Sequence, residues 1–114
     1  RVVKMMIINL ESHTQRKKIK VLSGREEGEK LREEFHLDVV DISDQKVTVA
    51  LGKELYSMNA SFFLGLFGPS VRKLGETGFR NKYAFDCDEI IRKNIEDGIS
   101  RALKTSNVLK AQQL

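Results

Sequence analysis

Apolar positions along this chain come in short runs divided by charged stretches, and the spacing inside each run assigns an element. Residues 2 to 10, Val-Val-Lys-Met-Met-Ile-Ile-Asn-Leu, include four consecutive apolar positions with no helical period, and Ile19 to Leu22 is a second short run of β type. The wholly polar Glu11 to Lys18 between them has the length and character of a hairpin connection, so an antiparallel N-terminal strand pair is expected. Ser23-Gly24-Arg25-Glu26 then reads as a capping box, in which the Ser hydroxyl accepts from the third helical N–H and the Glu reaches back. The helix it opens is placed at about 24 to 36. Its apolar stripe, Leu31 and Phe35, is thin, and Gly24 and Gly28 on the same face would let its backbone lie close to a sheet.

Val39 to Ile42 and Lys46 to Leu51 are two further runs of β type, parted by the turn-forming Ser43-Asp44-Gln45; they pair as a hairpin, or only one of them enters the core. After Gly52, Asn59 is placed to cap a helix whose face is Phe63, Phe67, Val71 and Leu74, ended by Gly75. Pro69 removes one helical hydrogen bond and crowds the carbonyl of Gly65, so a kink near Gly68-Pro69, or two short helices, is expected. Lys82 to Phe85 reads as a short strand, and Asp86 or Asp88 caps a last helix with Ile91, Ile95, Ile99 and Ala102 on one face. Pairs Glu89–Lys93 and Asp97–Arg101 support its outer side. From Thr105 the apolar spacing fades into a polar tail that is expected to fray.

This succession gives an α/β fold, a mixed β-sheet packed against about three amphipathic helices. One domain over residues 1–104 and a polar C-terminal tail over 105–114 are expected, with no internal repeat. At 114 residues, with 40% hydrophobic and 32% charged positions, the chain has the make-up of a single globular domain. Its longest apolar runs fall far below the roughly 20 residues of a membrane span. No secretory-signal pattern opens the chain, which begins at Arg1 as a trimmed chain would, and Cys87 stands alone; a cytoplasmic protein is expected.

The residues that could carry chemistry are few. His13 sits in a charged loop and His36 at a helix end, neither with an evident partner, and Cys87 at a strand-to-helix junction reads better as a structural thiol than as a nucleophile. No phosphate-binding glycine motif occurs: Gly65-Leu66-Phe67-Gly68 has no Lys in register. Glu26, Glu27, Glu29, Glu33 and Glu34 read as a solvated helix face, so no metal, no cofactor and no enzymatic activity are expected. The net charge of +4, with signs interleaved, permits nucleic acid without implying it. Arg16-Lys17-Lys18-Ile19-Lys20 is the segment that would contact phosphates, joined by Arg72, Lys73, Arg80 and Lys82 if they share its face.

The most unusual stretch runs from Tyr56 to Gly68, where small polar residues lead into a helix start that is apolar nearly all round. Phe62, Phe63 and Leu64 point in three directions. Either one or more of them is exposed for a protein partner, or the helix is buried on two sides.

Here the chain resembles the STAS domains of anti-sigma factor antagonists, and more closely the family known as STAS-like. The resemblance rests on Gly24 to Glu34, similar to that family's Arg-x-x-Gly helix opening; on Val47 to Leu51 leading to Ser61-Phe62 and Phe67-Gly68; and on the final Ile-rich helix. It covers about residues 17 to 104. It implies a sheet packed against helices, acting as a protein-interaction module whose partner is a regulatory protein such as a histidine-kinase-like ATPase or a sigma-type regulator. In the sigma-regulatory branch that kinase phosphorylates a Ser within an Asp-Ser-Ser-Gly pattern. Met58, Asn59, Ala60 and Ser61 stand on the pattern, so the phosphoacceptor position is Ala60, and the candidate hydroxyls are the neighbouring Ser57 and Ser61. The acidic residue that closes the family's central strand reads as Ala50, unless Asp41 takes that part in another register.

The resulting expectation is a non-enzymatic domain that docks a regulatory protein through Ser57, Met58, Asn59, Ser61, Phe62, Phe63 and Leu64, with the aromatic side chains entering a partner groove. The alternative is a small basic nucleic-acid-binding domain using the Arg16–Lys20 loop. The edge strand of the N-terminal pair makes a homodimer plausible.

Overall fold

A computed structural model of the chain describes residues 4–12 and 20–112, with side chains described as far as Lys104. Its elements, in chain order, are β1 (Met5–Asn9), β2 (Val21–Leu22), α1 (Arg25–Glu34), α2 (Leu37–Asp41), β3 (Lys46–Ala50), β4 (Ser57–Met58), α3 (Ala60–Leu66), α4 (Gly68–Lys82), β5 (Tyr83–Asp86) and α5 (Glu89–Gln112). The fold is α/β, with sheets packed against helices. β1, β3 and β5 form a three-stranded sheet in that order, and β2 pairs with β4 in a two-stranded one. All of these pairings are parallel. The expected N-terminal hairpin is therefore corrected. β1 and β2 each take a partner from farther along the chain, because the helices that follow β2 and β4 return the chain parallel to its start.

The strand order runs across the sheet without reversing. Crossovers between parallel strands are right-handed, so the helices after β1 and after β3 fall on the same face. α5 joins them, packing on α3, α4 and β4. The rows of in-register residues follow suit. Met6-Val47-Tyr83 and Ile8-Val49-Phe85 face the helices, whereas Ile7-Thr48-Ala84 and Asn9-Ala50-Asp86 face away. Ile8, Val47, Val49 and Tyr83 are buried, and Ile7, Asn9, Ala84 and Asp86 are exposed.

α3 is the pivot of the helical layer. Its closest neighbour is α1, and the approach depends on glycine: a Cβ on Gly28 would collide with the Phe62 carbonyl oxygen, and one on Gly65 with that of Arg25. Gly28 thus lets its helix lie close to another helix, rather than to the sheet. Gly98 of α5 similarly leaves room for the Phe63 ring. Phe63, Phe67, Phe79, Tyr83 and Phe85 form one aromatic cluster, in which Phe79 and Tyr83 stack with centroids 4.8 Å apart.

Several local readings hold. The chain breaks at Phe67, so that Pro69 falls in the first turn of α4, where its missing N–H costs no bond. Gly75, at φ 75°, interrupts α4 where a helix end was expected, and a further stretch carries on to Lys82. Asp88 caps α5, its Oδ1 accepting from the Ile91 N–H at 3.0 Å, and Ile91, Ile95, Ile99 and Ala102 are all buried. Asp97 pairs with Arg101 at 2.9 Å. The backbone of α5 continues past Thr105 to Gln112, while the side chains of the expected tail lie outside the described residues.

Other readings do not hold. α1 starts at Arg25 after Gly24, with no side-chain cap from Ser23, and ends at Glu34. Val39 to Ile42 is not a strand: Val39 to Asp41 belong to α2, with Ile42 as its C-cap, and the buried residues Leu37, Val40 and Asp41 recur at helical spacing. Only Lys46–Ala50 enters the sheet, and Ala50, not Asp41, closes the central strand.

Candidate interaction surface

The segment expected to dock a partner is held from below. The Tyr56 N–H donates to Lys20 O and the Asn59 N–H to Leu22 O, both at 2.7 Å, while Asn94 of α5 accepts from the Met58 N–H, also at 2.7 Å. Met58, Phe62 and Phe63 are buried in the core. They are therefore not the partner anchors proposed for them: α1, α4 and α5 enclose α3, and its rings fill the space between. Leu64 is half-buried at the edge of a cleft. Asn59 is exposed, and Ser57 and Ser61 are half-buried. Beside them Tyr56 is exposed, with the Lys20 ammonium 5.8 Å from its ring centroid.

The largest change from the sequence reading is the open face of the three-stranded sheet. Ile7 is 71% exposed and Met5 68% exposed, beside the half-buried Thr48 and Ala50 and the exposed Ala84. β1 is also an edge of the sheet. Parallel sheets are ordinarily covered on both faces. No signal in the sequence marked this surface, because alternation in β1 is masked by apolar residues at both Ile7 and Ile8.

A buried polar cluster lies on the helical side, and the sequence reading missed it. The Asp41 carboxylate is fully enclosed. Its Oδ2 accepts from Arg32 Nη2 at 3.0 Å and from the Ser70 hydroxyl at 2.5 Å, and its Oδ1 accepts from the Tyr83 phenol at 2.6 Å. Arg32 also donates to Asp38 from Nε and Nη2, and from Nη1 to Leu66 O and Ser70 Oγ at 2.9 and 2.8 Å. Every N–H of its guanidinium is engaged. Burial, then the Asp41 carboxylate that accepts its proton, pushes the Tyr83 phenol above its ordinary range. The cluster fastens α1, α2, α4 and β5 together. Its one visible trace in the sequence is a charged residue, Asp41, inside the apolar run Val39 to Ile42.

The remaining candidates separate cleanly. His13 and Arg16 to Ile19 of the basic loop lie outside the described residues. Lys20 faces Glu54 at 3.5 Å, Lys82 donates to the carbonyls of Ser43 and Gln45, and Arg80 is bound to Glu76 and Glu96, so each of these cations already has a partner. His36 is exposed, in the left-handed conformation at φ 55° between α1 and α2. Burial raises the Cys87 thiol, opposite to the lowering a helix N-terminus would give. Among the described residues no group of His, Cys, Asp and Glu could hold a metal ion, and no helix is long and apolar enough to cross a membrane.

Compared with protein-family models, curated proteins and solved structures, the chain matches none.

Proposed function

We propose that this chain is a non-enzymatic regulatory protein-interaction domain of STAS-like type, and that a partner protein docks on the open face of its sheet. The observation that supports this is the exposure of Ile7 and Met5 on a parallel sheet whose other face packs against the helices. Covering a residue such as Ile7 is worth about 1.5–3 kcal/mol, so an already formed face with two large apolar side chains among polar ones is suited to association. The partner class is a regulatory protein, with an ATPase-type kinase or a sigma-type regulator as the expected kind. Ser57 and Ser61 are the hydroxyls such a kinase would meet at the head of α3, and intact mass after incubation with it reads any added phosphate. The reading carries a cytoplasmic location with it.

The test is a photo-crosslinking residue placed at Ile7 and, as control, at the exposed Asp97, in the native host, with the adducts identified by mass spectrometry. A regulatory protein joined at position 7 and not at 97, and lost in Ile7→Lys with an unchanged circular dichroism melt, supports the proposal. The same adducts at both positions, full partner recovery with Ile7→Lys, or nucleic acid in place of protein would overturn it.

A further inference from the structure

A cleft of about 380 Å³ opens between α1, the start of α2 and the junction of α3 with α4. Arg25 and Arg32 reach it from α1, and Arg72 from α4. Arg32, paired with Asp38 and the buried Asp41 and with all its donors engaged, offers the cleft no free N–H. Arg25 and Arg72 differ from it. Among the described residues neither side chain makes a hydrogen bond or an ion pair, although the carboxylates of Glu29, Glu33 and Asp38 line the same cleft. Arg72 is half-buried and lies against the head of α4, where its Nη1 is 3.2 Å from the position a Cβ on Gly68 would take. Burial, then the charges of Arg25 and Arg32, lower its pKa. A partly desolvated cation held near two others is the arrangement an anion relieves.

We propose that this cleft binds a small phosphate monoester whose other end carries an ammonium or hydroxyl group. Two separate guanidiniums, each able to present paired N–H donors, suit the several oxygens of a tetrahedral dianion. Leu64 and Pro69 provide an apolar wall for a short carbon chain. The Glu29 and Glu33 carboxylates repel a second anionic group and accept from an ammonium or hydroxyl. The volume is near the small end of ordinary ligand pockets, about 300–1,000 Å³. The site goes beyond the docking reading and does not depend on it, since it lies among the helices and not on the open sheet face.

The experiment is a titration of the whole chain with inorganic phosphate and with O-phosphoethanolamine at constant ionic strength, followed by amide chemical shifts and by thermal unfolding. O-phosphoethanolamine is expected to bind about tenfold more tightly than phosphate and to move the amides of residues 64 to 72. Arg72→Gln weakens both ligands by about tenfold, and Arg25→Gln repeats the loss if the first variant does not fold. Arg80→Gln, on the far pairing with Glu76 and Glu96, leaves both unchanged. A response no larger than that to chloride, binding by the Arg72→Gln or Arg25→Gln protein as tight as that of the unaltered chain, or shifts confined to another surface would overturn the proposal.

Discussion

Ile7 and Ile8 are chemically identical neighbours in one strand, yet Ile8 is fully buried while Ile7 is 71% exposed. The same division runs across the sheet. Val47 and Val49 are buried on the helix side, where β3 meets α4, whereas Thr48 and Ala50, between and after them, belong to the open face. Hydrophobicity alone does not decide which face is covered. The strand order β1-β3-β5 never reverses, so right-handed crossovers deliver their helices to one side and leave the other bare. The covered face holds the fold together, and the open face is available to something else.

The contrast predicts unequal costs for similar substitutions. Phe63→Ala, in the aromatic cluster beneath α5, should lose about 3–5 kcal/mol in a denaturant melt, while Ile7→Lys should cost no more than about 0.5 kcal/mol. Comparable losses for the two would mean that the open face is not open. Asp41→Ala leaves the Arg32 guanidinium buried without its enclosed partner and should cost about 3 kcal/mol. Asp38→Ala, at a carboxylate 86% exposed, should cost less than about 1 kcal/mol by the same measurement.

Tyr83→Phe separates packing from hydrogen bonding at the covered face. It keeps the ring stack and removes the bond to Asp41, for an expected loss of about 1 kcal/mol near neutral pH. The folded phenol titrates above its unfolded value of about 10. Its contribution is therefore full below pH ~10 and is lost as pH rises beyond, because the unfolded chain ionises first. The Phe variant should lack this alkaline decline in a pH series of melts.

The smallest effect is expected at the exposed pair between α4 and α5. The hydrogen bonds from Arg80 hold the Glu96 carboxyl below its ordinary range. Its contribution is present above the unfolded value near pH ~4.3 and is lost as pH falls through the lower folded value. Solvent screening limits it to under about 1 kcal/mol. Glu96→Gln should therefore slightly flatten the acid limb of the stability profile and leave the alkaline limb alone.

Local signals were readable wherever an element's own spacing defined it. Ile91, Ile95, Ile99 and Ala102 behind the Asp88 cap marked α5, and Pro69 marked the break between α3 and α4. Val39 to Ile42 misled because a four-residue apolar run has no length over which to tell a 2.0 period from a 3.6 period. The docking residues misled for another reason. Phe62 and Phe63 do point to different sides of their helix, but α3 has neighbours on those sides, which its own sequence cannot register.

What the sequence by itself determined, then, is the α/β class, the Ile-rich C-terminal helix and the proline break. Only the tertiary structure decided that the strands pair in parallel, that one sheet face is bare, and that Asp41 meets Arg32, Ser70 and Tyr83 across 9, 29 and 42 positions of chain. Period and capping act within one element and leave a local trace. Strand pairing, crossover hand and buried hydrogen bonds join residues from separate elements, and no local spacing encodes where those elements come to rest.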